Sequence, residues 1–204
     1  QKIIREGEDS NEMYTLAQGT AIVERDGEFL AEIQAGQAFG EMAVLGVTIV
    51  QVWTVRAETL CNMQVLGRWE LEHLFNEYTD ERRRIFQQVA MLMREDLGDV
   101  TNREILADVP IFQEVPSEIL DAAEESVAVE LVRKDEVMSR PAGEPCLLIV
   151  LQGFAQIEVA GMGVRDLGEG DAWGEIGILG VAEGELSATV RATCSCLYFS
   201  IPLS

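Results

Sequence analysis

The sequence predicts a mainly β protein with helices, in which two β-barrel, jelly-roll-like domains are joined by a helical segment. Three observations lead there. The first is an internal repeat: a shift of 134 positions carries Gln18-Gly19 onto Gln152-Gly153, Gly36 onto Gly170, Gly40-Glu41 onto Gly174-Glu175 and Leu45-Gly46-Val47 onto Leu179-Gly180-Val181. One further residue of shift carries Thr54-Val55-Arg56-Ala57 onto Thr189-Val190-Arg191-Ala192, and self-similarity held over such a span marks a duplicated structural unit. The second is the spacing within each copy, where short apolar-rich runs alternate with turn residues as in sandwiches and barrels. The third is the change, between the copies, from a period of two to one of about 3.6 residues.

In chain order, the first copy offers strands over 2–5, 12–17, 20–25, 28–33, 52–57 and 60–66, with Asp26-Gly27 as a hairpin turn that needs positive φ. Leu71, Leu74, Phe75 and Tyr78 then form a short helical stripe, and Ile85, Phe86, Val89, Leu92, Met93 and Leu97 a longer one that Gly98 can end. Thr101 and Glu104 have the spacing of a capping box for a helix that stops before Pro110, and another helix runs over 117–126. The second copy resumes with strands over 147–151, 154–159, 164–167, 188–193 and 196–201, with Gly161-Met162-Gly163 as the turn. The predicted domains are residues 1–98, comprising a barrel over 1–66 and helices over 68–97, and residues 99–204, comprising helices over 102–126 and a barrel over 127–204.

Composition removes several classes of function. Lys and Arg number 15 against 36 Asp and Glu, a formal charge of −21. Nucleic acid is therefore not a partner, and an anionic ligand needs local compensation from a cation or from backbone N–H groups. No apolar run reaches about 18 residues, so the chain reads as cytoplasmic, with no membrane segment. Cys61, Cys146, Cys194 and Cys196 lie in or beside apolar runs without zinc spacing, which suits reduced, buried thiols. His73, the single histidine, sits beside Leu74 and Phe75 on a predicted helix, where a structural role is expected. With no clustered ligands or catalytic constellation, the sequence predicts neither an enzyme nor a bound metal or cofactor.

The repeated phrases Phe39-Gly40-Glu41-Met42-Ala43-Val44-Leu45 and Trp173-Gly174-Glu175-Ile176-Gly177-Ile178-Leu179 carry the chemistry. A Gly-Glu pair before a short apolar stretch can be a tight turn with its Glu in water. It can also be a cradle: Gly admits a ligand close to the backbone, the following residues make about one helical turn whose leading N–H groups hold an anion, and the Glu accepts hydrogen bonds from sugar hydroxyls. Repetition favours the cradle.

With their followers, Thr54-Val55-Arg56-Ala57 and Ala188-Thr189-Val190-Arg191-Ala192, these phrases resemble the phosphate-binding cassettes of cyclic nucleotide-binding domains. Arg5-Glu6-Gly7-Glu8-Asp9, Pro141-Ala142-Gly143-Glu144-Pro145 and Val109-Pro110-Ile111-Phe112 are similar to further features of that family. The tandem arrangement resembles the regulatory parts of cyclic-AMP- and cyclic-GMP-dependent kinases, and Val55 to Cys61 resembles the sensor domain of cyclic-nucleotide-modulated channels. The resemblance implies barrels whose ligand, cAMP, cGMP or a related nucleotide, is covered by the following helices, here the lid helices over 68–97, and which control a kinase or channel effector. It places ligand contacts at Phe39, Gly40, Glu41, Met42, Ala43, Gln51, Val52 and Thr54 in the first site. In the second it places them at Trp173, Gly174, Glu175, Ile176, Gly177, Leu186, Ser187 and Ala188.

One departure bears on the ligand. In the family an arginine three residues before the cassette threonine pairs with the phosphate; here that position holds Gln51 and Leu186. Truncating one partner of a buried, hydrogen-bonded charge pair costs roughly 2–5 kcal/mol. Arg56 and Arg191 stand two residues beyond their threonines, roughly 7 Å along a strand, and Trp53 places a bulky ring beside the site. Three readings stand open: a module that binds a cyclic nucleotide, the same fold tuned to a non-cyclic nucleoside-type ligand, and a ligand-free protein-interaction or autoinhibitory module.

Overall fold

The computed structural model describes residues 1–139, 146–174 and 188–202. The chain divides into two compact units, Gln1–Glu81 and Arg82–Ser204. The division falls inside the helical stretch that the sequence assigns to the first domain.

The first unit contains β1 (Lys2–Ile4), β2 (Glu12–Gln18), β3 (Thr20–Arg25), β4 (Glu28–Gln34), β5 (Ala38–Phe39), the single turn α1 (Glu41–Val44), β6 (Thr54–Ala57), β7 (Asn62–Gly67) and α2 (Arg68–Glu77). Its strands form two antiparallel sheets, ordered β1-β6-β3-β4 and β5-β2-β7. Ile4, Leu16, Ala21, Ile33, Phe39 and Val55, drawn from six strands, are buried together as its core. The hairpin turn falls on Asp26-Gly27, both with positive φ, and Arg25 pairs with Glu28 across it. The strand expected over 52–57 begins only at Thr54, because Val52 and Trp53 lie exposed outside the ladder.

From α3 (Thr79–Asp96) the chain passes into the second unit through α4 (Asn102–Asp108), a 3-10 turn at Pro110–Phe112 and α5 (Ser117–Glu125). Thr101 and Glu104 form the expected reciprocal capping box. The strands are β8 (Ala128–Val132), β9 (Val137–Ser139), β10 (Cys146–Gln152), β11 (Ala155–Val159), β12 (Met162–Leu167), β13 (Ala172–Trp173), β14 (Ala188–Ala192) and β15 (Cys196–Pro202). They form sheets ordered β13-β10-β15-β8 and β12-β11-β14-β9. The turn expected at Gly161-Met162-Gly163 falls one residue earlier. Ala160 and Gly161 take the positive φ values, and Met162 already pairs with Val159.

Strand β10 is apolar from Cys146 to Leu151 because both of its faces are covered. Leu148 and Val150 face the barrel core with Ile157, Val190 and Tyr198. Leu147 and Ile149 pack on the other side with Leu106, Val109 and Phe199, which ties the α4 region to the sheet. The start of α3 is held by charge: Arg82 and Arg133 both pair with Glu136, and their guanidinium carbons lie 4.7 and 5.5 Å from the Phe86 ring. At the far end of α3, buried Arg94 donates to Val100 O and Asn102 Oδ1.

Two turns show why glycine recurs at matched positions. Gly19 and Gly153 have φ values of 97° and 96°, and an added Cβ would collide with the carbonyl oxygens of Leu60 and Ser195. Beside each turn a thiol is engaged, Cys61 donating to Thr20 O and Cys196 to Phe154 O. Cys196 is buried, as expected, whereas Cys61, Cys146 and Cys194 are half-buried.

Gly153→Ala is expected to destabilise the second unit by about 2–4 kcal/mol, from left-handed strain and overpacking together, measured by urea denaturation. Glu136 gives a pH test. Burial pushes its carboxyl up, but the Arg133 N–H and the Arg133 and Arg82 guanidinium groups outweigh that and hold it below its ordinary value of 4.5. A depressed carboxylate stabilises the fold above its unfolded pKa and loses that contribution as pH falls through the folded one. Glu136→Gln should therefore flatten the fall in thermal midpoint on acidification below about pH 4.5; an unchanged slope would remove the clamp from the account.

Candidate functional site

Residues 39–54 leave the end of β5, make one helical turn and return along the loop before β6. Phe39 is buried and stacks on Tyr14 with ring centroids 5.3 Å apart. Gly40 then turns the chain with φ 86° and ψ 14°. An added Cβ would stand 2.7 Å from Glu12 O and 3.2 Å from Met13 Cα. The sequence suggested that this glycine clears space for a ligand; in the fold, its bare side is filled by the backbone of β2. The second barrel repeats the elbow: Gly174 has φ 109°, and a Cβ there would collide with Cys146 O and lie 3.2 Å from Leu147 Cα.

Past the elbow, the ladder of α1 begins with Val44 N–H donating to Gly40 O and Leu45 N–H to Glu41 O. The N–H groups of Met42 and Ala43 lie ahead of the first intrahelical bond, and the Glu41 side chain is exposed between them and the elbow. Val47 and Thr48 N–H both return to Met42 O, which closes the turn on itself.

The return segment is held by main-chain bonds to the loop after β1. Ser10 N–H donates to Ile49 O at 3.1 Å, Gln51 N–H to Glu8 O at 3.0 Å, and Gly7 N–H to Gln51 O at 2.9 Å. Thr54 is buried, and its Oγ1 accepts from Glu6 N–H at 3.1 Å, so this hydroxyl is part of the scaffold. Gln51 is only 7% exposed, and its Nε2 meets no acceptor. Val52 and Trp53 are 45% and 36% exposed, so the Trp53 ring packs in neither the core nor a closed pocket.

Gln51 lines a polar cavity of about 220 Å³ with Arg5, Glu8, Asp9, Glu12 and Tyr14. Tyr14 Oη donates to Glu12 Oε2 at 2.6 Å. Burial, reinforced by that carboxylate, pushes the phenol up to about 12, so Tyr14 stays protonated. The cavity pairs three carboxylates with one guanidinium, and Arg5 Nε is itself 3.9 Å from Glu8. The two arginines that follow the cassette threonines are engaged by carboxylates. Arg56 binds Glu24 through Nε and Nη2 at 3.2 and 2.8 Å, and Arg191 binds Glu158 at 3.1 and 3.2 Å and Asp135 O at 2.7 Å.

Arg68, which sequence reasoning missed, ties this loop to the start of α2. Its guanidinium donates to Ala43 O and Ser10 O, while its own N–H donates to Asn11 O at 2.8 Å. The only signal in the sequence was a cation opening a helix that follows Gly67. His73 stacks on Trp69 at 6.2 Å, and among the described residues no cluster of His, Cys, Asp and Glu could hold a metal.

The structure therefore brings Phe39, Gly40, Glu41, Met42, Ala43, Gln51, Val52 and Thr54 into one loop system of the first barrel. In the second, Trp173 pairs with Leu148, Gly174 forms the elbow, and Ala188 is buried in the barrel core. Glu175, Ile176, Gly177, Leu186 and Ser187 lie outside the described residues.

Residues 1–78 match the family model of the cyclic nucleotide-binding domain. The chain is 26% identical over 189 residues to the isozyme 2 forms of a Drosophila melanogaster cGMP-dependent protein kinase, covering 87% of this chain and 15% of the kinase. It is 27% identical over 186 residues to isozyme 1 from the same organism, covering 85% and 22%. It thus spans under a quarter of the length of these relatives. Among solved structures, the regulatory domain of Toxoplasma gondii PKA with cAMP aligns over 100% of this chain and 75% of its own, at 21% identity and a TM-score of 0.43.

Replacing Arg68 with Ala should speed amide exchange at residues 44–48 by about tenfold or more, since hydrogen bonds from a charged donor contribute about 1.5–3 kcal/mol. Amides of β3 and β6 serve as the internal control; equal protection in both proteins would show that Arg68 does not hold α1.

Proposed function

We propose that the chain is a ligand-sensing regulatory module of the cyclic nucleotide-binding class, whose family model residues 1–78 match. A cyclic nucleotide or related nucleotide enters the loop system of residues 39–54, and its binding controls an effector, a kinase or channel, in the cytoplasm. The module binds and does not catalyse.

The observation that carries this reading is the convergence, in a single loop of the family-matched barrel, of several groups of the right chemistry. The leading N–H groups of Met42 and Ala43, the exposed Glu41 carboxylate and the buried Gln51 amide all belong to it. The N–H groups can meet phosphate oxygens and the carboxylate can meet ribose hydroxyls. Arg68 supports the regulatory half of the proposal. It joins the carbonyl side of α1 to α2, so a shift of the cassette is felt at the first residue of the following helix.

Isothermal titration calorimetry of the 204-residue chain with cAMP and cGMP tests the reading. Saturable binding is expected, weaker than a site with a phosphate arginine provides. Gln51→Arg should tighten it by about tenfold or more, given the roughly 2–5 kcal/mol attached to such a charge pair. Absence of heat with either nucleotide, for both proteins, would refute cyclic-nucleotide sensing.

A further inference from the structure

The polar cavity that Gln51 shares with β1, the loop after it and the start of β2 constrains the ligand beyond its general class. One of its lining groups, the Gln51 amide, is an N–H donor shielded from solvent and without an acceptor. A buried donor left unmade is one of the costlier defects a fold can carry. Rotation about the Gln51 side-chain torsions into the cavity it lines, toward an incoming oxygen, relieves the defect.

The charge around that donor sets what kind of oxygen it can be. Glu8, Asp9 and Glu12 line the same cavity against Arg5 alone, and Arg5 already lies beside Glu8. Between residues 39 and 57 the only cation is Arg56, which Glu24 engages through two nitrogens. Arg68 commits its guanidinium to the carbonyls of Ala43 and Ser10. A phosphate brought here meets three carboxylates with only the Arg5 guanidinium to offset them, whereas a carbonyl or hydroxyl oxygen meets none of this repulsion and satisfies the amide. Hydroxyl hydrogens of the same ligand find acceptors in the surrounding carboxylates. At about 220 Å³ the cavity is smaller than a typical whole-ligand site, so it receives one polar end of a molecule.

We propose that the first barrel selects an uncharged, nucleoside-class ligand over the corresponding cyclic phosphate, with Gln51 as the specificity-determining residue that donates to a carbonyl or hydroxyl oxygen. The proposal rests on the ligand-sensing reading above and narrows it.

The test is calorimetry of the whole chain with adenosine and guanosine against cAMP and cGMP, at about 50 mM and about 500 mM salt. The nucleoside is expected to bind at least about tenfold tighter than its cyclic phosphate, with little salt dependence. Gln51→Leu should weaken nucleoside binding by about tenfold while raising the thermal midpoint of the free chain, because the orphaned donor is gone. Tighter binding of the cyclic phosphate, or a Gln51→Leu protein with undiminished nucleoside affinity, overturns the selection and leaves ligand sensing intact. Silence toward all four compounds overturns ligand sensing itself, and the selection with it.

Discussion

Everything built at the cassette depends on one steric fact: a neighbouring strand, β2 in the first barrel and β10 in the second, passes so close to the elbow glycine that no side chain fits between them. Glu12 O and Met13 Cα occupy the bare side of Gly40, and Cys146 O and Leu147 Cα that of Gly174. Both glycines take a left-handed φ. In the first barrel α1 starts directly after this elbow, with the Met42 and Ala43 N–H groups ahead of its first intrahelical bond. The same contact explains why the glycine and not only the glutamate is repeated, since the elbow serves the fold before it serves any ligand.

Electrostatics gives the site its second character. In a chain with a formal charge of −21, the arginines near the barrels are drawn into pairs: Arg56 with Glu24, Arg191 with Glu158, Arg82 and Arg133 with Glu136. The Arg56 and Arg191 pairs are cross-strand neighbours at matched positions of the two copies, so the repeat preserves them as a structural device. Their partners leave the cassette to backbone and amide donors.

Much of the fold was legible because its signals are local. Positive-φ turns announce themselves through Asp-Gly and Gly, a capping box through Thr101 and Glu104, and a duplicated barrel through matched glycines. The continuous apolar run of β10 also tells that both of its faces are covered, a signal visible in Cys-Leu-Leu-Ile-Val-Leu. What escaped was set by long-range geometry. Arg82, the first residue of the second unit, pairs with a carboxylate 54 residues away. The scaffold role of Thr54 depends on an N–H donor at Glu6. Arg68 reaches the carbonyl of Ala43, 25 residues earlier, and nothing in its local context points there. At the candidate site, the residues of the first cassette could be named from sequence, but the buried, unpartnered state of Gln51 is a property of the folded loop alone.

The return segment is fastened to the loop after β1 through Ser10 N–H to Ile49 O, Gln51 N–H to Glu8 O and Gly7 N–H to Gln51 O. All three bonds run from main chain to main chain, so the ribbon keeps its path whichever side chain stands at position 51. That separates scaffold from specificity: the residue facing the cavity can be exchanged between charged, amide and apolar types while the ribbon that carries it persists. Single substitutions there would change the chemistry this cavity presents while the main chain around it keeps its hydrogen bonds.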